Sequence, residues 1–118
     1  MKRKIGVILF NLGGPDKLSA VKPFLFNLFN DPAIIGAPSF IRYFLAHLIS
    51  SKREKTAKEI YSFIGGKSPI LEETEEQKKQ LEELLKTEKE NYKVFVTMRY
   101  WKPFIDETVT KVMKWQPD

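Results

Sequence analysis

The chain contains no cysteine and a single histidine, His47, among its 118 residues. Without cysteine there is no disulfide framework and no thiolate metal site, which fits a reducing compartment. A zinc site built on His47 would need several carboxylates around it, and no such arrangement is readable, so no metal ligand and no role for His47 is assigned. Long apolar runs are missing too, and none approaches the ~20 residues that span a bilayer. The opening MKRKIG carries neither an apolar signal segment nor an Arg/Ser-rich transit peptide, so a bacterial, cytoplasmic setting is expected. Repeats and low-complexity tracts are absent. With 42% hydrophobic and 30% charged residues, the composition is that of an ordinary globular protein with room for one domain and a core.

Net charge is +5 with a sequence pI near 9.4, which favours anionic partners: carboxylated or phosphorylated small molecules, acidic lipid or nucleic acid. Basic residues alternate with acids instead of concentrating on one element, so nucleic acid is not expected as a partner.

The chain is organised around residues 4–15, KIGVILFNLGGP. Ile5, Val7, Ile8, Leu9 and Phe10 make a near-continuous apolar run, which predicts a strand covered on both faces. Gly13 and Gly14 can take backbone angles closed to other residues, and Pro15 stops further pairing. Ligands of open α/β sheets bind beyond the carboxyl ends of strands, so this turn is the first place to look for a site.

Apolar spacing at Leu18, Val21, Leu25, Leu28 and Phe29 predicts a helix over 17–30, with Pro23 demanding a late start or a kink. Its apolar residues cover most of its circumference, which suits either a helix sandwiched in the core or one with a face turned to lipid or a large apolar ligand. Asp31-Pro32 ends it, and residues 34–38 form an apolar loop. A second apolar helix is expected over 39–50 and a helix with a net positive face over 51–63. The sequence GGKS at 65–68 resembles a phosphate loop, but Tyr61 stands where that motif needs glycine and the segment follows a helix, so a nucleotide P-loop is rejected. Residues 70–89 are the clearest helix, with Leu71, Leu81, Leu84 and Leu85 as its seam and Glu75–Lys79 and Glu82–Lys86 as i,i+4 pairs. YKVFVTM at 92–98 reads as a second strand ending at Arg99-Tyr100-Trp101, and Pro103 as the first position of a helix reaching Trp115. Two strands joined by a helical crossover are parallel by default, and two make a poor sheet, so a larger protein is expected.

Three segments, LFNLGGPDKLSAVKPFLFNLFNDPAII, IYSFIGGKSPI and MRYWKPF, resemble ferrochelatase in order and spacing, and the resemblance runs across essentially the whole chain. It implies a partial Rossmann-like, chelatase-like α/β domain of parallel strands with flanking helices and a helix-rich lip insertion. Residues 1–118 would be the N-terminal part of the first such domain, with the second domain absent. It also implies insertion of Fe(II) into protoporphyrin IX in haem biosynthesis, with no cofactor required. Family porphyrin contacts fall on Arg53, Tyr61 and Ser68, and Arg99 and Tyr100 match the opposite side of the pocket. Leu12 stands where the family often has Met or Tyr against the macrocycle and supplies wall without an oxygen ligand. The lip that touches porphyrin or membrane falls on Phe24, Phe26, Phe29, Ile34 and Ile35. Tyr61 could equally be a core tyrosine and Ser68 a helix N-cap.

The family's essential histidine and partner glutamate lie beyond residue 118, so no catalytic residue is assigned in this chain. The expected partners are porphyrin, peripheral contact with the inner membrane, and a C-terminal half on the same or a separate chain. Two rival readings stand beside this one. The first is a stand-alone non-catalytic tetrapyrrole-binding or membrane-contact module. The second is a nucleotide-binding α/β domain.

Overall fold

The computed structural model describes residues 2–118. They divide into two units, one made of the residues up to Gly13 together with Ile70–Asp118, the other of Gly14–Pro69.

The first unit is the α/β part. Strand β1 (Lys4–Asn11) pairs in parallel with β2 (Asn91–Met98), in register from Lys4 opposite Asn91 to Asn11 opposite Met98. Helix α3 (Ile70–Leu85) precedes β2 and α4 (Ile105–Trp115) follows it, and both pack on β2. This decides which strand is buried. Val94 to Met98 form a run of five buried residues, whereas Ile8 of β1 is exposed and Phe10 is 80% exposed. The two-faced covering expected for the first strand thus belongs to the second, because the helices lie over β2 and leave β1 half bare.

The edges of the sheet differ in the same way. On the outer edge of β2, the Val94 N–H donates to Glu82 Oε1 (3.1 Å), the Met98 N–H to the Pro103 carbonyl (2.7 Å), and the Thr108 hydroxyl to the Val96 carbonyl (2.8 Å). Side chains and a turn therefore close that edge, as a strand end exposed to other chains requires. On the outer edge of β1, Asp118 holds the first position: its N–H donates to the Lys4 carbonyl (2.8 Å) and its carboxylate accepts from the Lys4 N–H (2.6 Å). No other strand among the described residues pairs there.

Three local expectations change. Glu82 bonds Val94 and not Lys86, whose ammonium pairs with Glu83 at 2.8 Å; the pair lowers the Glu83 carboxyl and raises the Lys86 ammonium from their ordinary pKa values. Helix α3 stops at Leu85, short of residue 89. Pro103 lies before α4 in a cis peptide bond with Lys102, and Phe104 is the residue that caps the helix in extended conformation.

The second unit is helical. A 3-10 turn (Leu18–Ala20) leads into α1 (Val21–Phe29), so the late start is what accommodates Pro23, whose missing N–H falls among the first-turn donors that have no helical acceptor anyway. The two helices expected over 39–63 are one, α2 (Ser39–Ser62), 24 residues long. No glycine or proline interrupts it, and the change from apolar to basic composition alters the surface without altering the backbone. Helices α1 and α2 pack on each other, with Ala20, Val21, Phe24, Ala46 and Ser50 buried. GGKS turns out to follow the helix as its stop. Gly65 and Gly66 have φ of +93° and +80°, and the Gly66 N–H donates to the Tyr61 carbonyl (2.8 Å), the 6→1 bond of a Schellman-type C-cap.

Candidate functional site

The turn after β1 meets the turn after β2. The Arg99 N–H donates to the Asn11 carbonyl (3.0 Å) and the Tyr100 N–H to the Leu12 carbonyl (2.9 Å), which carries the parallel ladder past the strand ends. Asn11 Oδ1 accepts the Leu12 N–H (2.9 Å) and holds the turn from its own side. Gly13 is needed here. Its φ is +90°, and a Cβ at that position would lie 3.1 Å from the Met98 Cβ and 3.3 Å from the Trp101 nitrogen. Gly14 does not share the positive φ.

Of the expected porphyrin residues, this turn brings together Leu12, Arg99 and Tyr100. Leu12 and Arg99 are exposed. Tyr100 is only 5% exposed, and the Arg99 guanidinium lies 5.4 Å from its ring centroid. The ring therefore orients Arg99 more than it offers a surface of its own. Beside the turn opens a cavity of about 460 Å³, lined by Ile8, Phe10, Asn11, Thr97, Met98, Arg99, Phe104 and Ile105. One guanidinium at the rim of an apolar wall suits a flat apolar molecule with a carboxylate at its edge.

The second unit holds Arg53, Tyr61 and Ser68. Arg53 is exposed on α2 with its guanidinium 5.4 Å from the Phe29 ring centroid. Tyr61, eight residues on and about 12 Å further along the helix, is half-buried in its last turn. Ser68 is half-buried, and its N–H donates to the Pro15 carbonyl (2.8 Å). It stands two residues before α3, with Pro69 between.

Among the expected lip residues, Ile34 is exposed, and Phe26, Phe29 and Ile35 are half-buried. Phe24 is 8% exposed and belongs to the core of the unit. Phe26 packs against His47 (centroids 4.5 Å) and Tyr43 (5.3 Å), which gives His47 an aromatic setting on the helix surface. The loop between α1 and α2 is held by two devices that sequence spacing did not reveal. The Asp31 carbonyl accepts the N–H groups of Ile34 and Ile35, and the Arg42 guanidinium donates to the carbonyls of Asn30 (2.9 Å) and Ala37 (3.0 Å). The exposed apolar surface continues along α2 at Phe40, Ile41 and Phe44, within the apolar stretch 34–45 expected to be an interaction surface, and extends past it to Leu48 and to Phe63, which is 88% exposed. Phe40, Phe44 and Leu48 share one helix face by their i, i+4, i+8 spacing.

Among the described residues, no group of three or more His, Asp or Glu side chains could hold a metal ion, and no helix is long and apolar enough to cross a membrane.

A parallel α/β unit with a glycine-requiring turn at its strand ends, and an arginine at the rim of an apolar cavity, defines the class: an α/β protein suited to an apolar ligand bearing acid groups. Comparison with known proteins then names the family. The ferrochelatase family model matches residues 4–118. The chain is 55% identical over 117 residues to the ferrochelatase of Rickettsia bellii, an alignment covering 98% of this chain and 33% of that protein. It is 56% identical over 120 residues to the ferrochelatase of Caulobacter vibrioides (100% and 35%) and 56% identical over 116 residues to that of a Wolbachia from Drosophila simulans (98% and 37%). The chain belongs to the ferrochelatase family. It spans about a third of the length of these curated bacterial relatives.

Proposed function

We propose that the chain is the N-terminal part of a ferrochelatase, a lyase that inserts Fe(II) into protoporphyrin IX in haem biosynthesis. The observation that carries this reading is the family match over residues 4–118, in a chain whose Leu12 wall and Arg99 cation meet at the carboxyl ends of the parallel strands. In the complete enzyme, Leu12 and Arg99 contact the macrocycle from one turn. Arg53, Tyr61 and Ser68 contact it from the helical unit, the two cations serving propionates and the hydroxyls accepting or donating at the rim. Tyr100 holds Arg99 in place.

Insertion of a metal ion requires the two pyrrole N–H protons to leave, and so needs a positioned base. That base and its carboxylate partner belong to the polypeptide that the relatives carry beyond the matched third, and this chain alone does not turn over. The same polypeptide supplies the further partner of β1: it adds along the edge of β1 beyond Lys4, where Asp118 does not reach, and covers Ile8 and Phe10. The surface of Phe40, Ile41, Phe44 and Leu48, followed on α2 by Lys52 and Lys55, supports a peripheral contact with an anionic membrane, apolar side chains entering the interface and ammonium groups meeting headgroups. The setting proposed for the enzyme is the bacterial cytoplasm, with peripheral contact at the inner membrane.

The test joins this chain in frame to the remaining part of the Caulobacter relative and follows loss of protoporphyrin fluorescence on addition of zinc or ferrous iron. The chimera is expected to insert metal, Arg53→Ala and Arg99→Ala to raise KM, and the isolated chain to stay at the uncatalysed rate. A folded but inactive chimera, or turnover by the isolated chain, would overturn the reading.

A further inference from the structure

A second pocket lies at the other end of the sheet. It has a volume of about 440 Å³ and is lined by Lys78 of α3, Lys93 and Phe95 of β2, and Lys111, Lys114 and Trp115 of α4. Lys93 is opposite Gly6 in the register, five residues from the Met98–Asn11 pair where the turn begins, a separation of about 17 Å along the strands. The pocket is therefore distinct from the haem-side turn.

Its charge is one-sided. Four lysines from three elements face it and none of its lining residues is acidic. Two lysines outside the pocket are paired with carboxylates, Lys58 with Glu54 at 3.2 Å and Lys86 with Glu83 at 2.8 Å. Helix α3 is rich in glutamate, yet the residue it contributes here is Lys78. The floor is aromatic: Phe95 and Trp115 meet edge to face with centroids 6.0 Å apart. Both rings already hold a cation, with Lys93 Nζ 5.5 Å from the Phe95 centroid and Lys4 Nζ 4.8 Å from that of Trp115. Lys4 also donates to the Trp115 carbonyl, so the floor is anchored to β1. Gathering like charges on neighbouring positions destabilises a fold unless something compensates them.

We propose that this pocket binds a compact polyanion carrying two or more phosphate groups. A single carboxylate would answer one or two ammonium groups. Four ammoniums, each a point charge with three donors, match oxyanions that present several acceptors and more than one negative charge. The chemistry is shared by soluble diphosphates and by the two-phosphate headgroup of cardiolipin, and the experiment separates the two sources.

Inorganic pyrophosphate is titrated calorimetrically into the chain at low salt, and flotation is measured with phosphatidylcholine vesicles with and without cardiolipin, whose headgroup carries two phosphates. Lys93→Gln/Lys114→Gln is compared with Lys17→Gln/Lys89→Gln, whose lysines lie outside both the pocket and the α2 surface; all four side chains are exposed, so the fold is kept, and far-UV circular dichroism checks it. The single variant Lys111→Gln gives an independent reading of the same pocket. Saturable pyrophosphate binding that weakens about tenfold or more in the pocket variants and less than twofold in the Lys17/Lys89 variant is expected for a soluble ligand. Cardiolipin-dependent flotation that falls in the pocket variants and not in the Lys17/Lys89 variant, without pyrophosphate binding, assigns the site to headgroups. The proposal is overturned if neither probe binds saturably, or if the Lys17/Lys89 variant weakens binding as much as the pocket variants do.

Discussion

Replacing Gly13 by alanine tests the turn at its most constrained point. The backbone there has φ +90°, where an L-residue costs about 1–2 kcal/mol. The new Cβ would also sit 3.1 Å from the Met98 Cβ and 3.3 Å from the Trp101 nitrogen. Neither neighbour is a flexible side-chain end: Met98 is buried and the second atom is backbone, so the site relieves the contact only by moving the turn. Overpacking of this kind adds about 1–3 kcal/mol. The two effects together predict a loss of about 2–5 kcal/mol. With a urea slope of about 2 kcal/mol/M, in the usual range for a small protein, that is a midpoint lower by roughly 1–2.5 M.

Both tryptophans, Trp101 and Trp115, belong to the α/β unit, so fluorescence-detected urea unfolding reports on the part that contains the turn. Gly36→Ala is the internal control, because a Cβ at Gly36 meets nothing within 4 Å and its φ is not positive. It should change stability by less than about 1 kcal/mol. The argument fails if Gly13→Ala unfolds within about 0.5 kcal/mol of the unsubstituted chain.

Two further outcomes follow from the edges of the sheet. Thr108→Val keeps the shape but removes the buried hydroxyl that donates to the Val96 carbonyl, and should cost about 1–3 kcal/mol by the same unfolding measurement; a change below 0.5 kcal/mol, taken as roughly the noise of such data, would show that another donor closes that edge. Phe10→Lys puts a charge on a side chain that is already 80% exposed on the open strand, so stability should change by less than about 0.5 kcal/mol while association falls. Size-exclusion chromatography with light scattering reads this, and undiminished self-association would mean that the β1 edge is not its route.

Much of the fold was legible before any coordinates. The apolar runs at 5–10 and 92–98 located both strands, the helical crossover made them parallel, and residue spacing together with Pro103 pointed to five helical segments where the described residues form four α-helices. Local rules sufficed because these signals are local: strand and helix periods, turn residues and helix stops act within a few positions. Arg99 at the end of the second strand and the Leu-Gly turn at the end of the first were visible as candidates for the same reason. Boundaries and pairings fared worse. Nothing in the run of residues 39–63 distinguishes one helix from two, and Glu82 could have met Lys86 as readily as Val94.

What the amino-acid sequence determined by itself, then, is the set of elements, their parallel order, a glycine-bearing turn after β1, and membership of the ferrochelatase family through motifs spread over its whole length. Which side of each element is buried was decided only by tertiary packing. Ile8 and Phe10 are as apolar as Phe95 and Val96, yet the first pair is exposed and the second buried, because α3 and α4 lie over β2. Tyr100 and Phe24 turned inward on the same grounds, and four lysines far apart in sequence came to face one aromatic floor. Burial and charge clustering are sums over residues distant along the chain, and no local pattern encodes them.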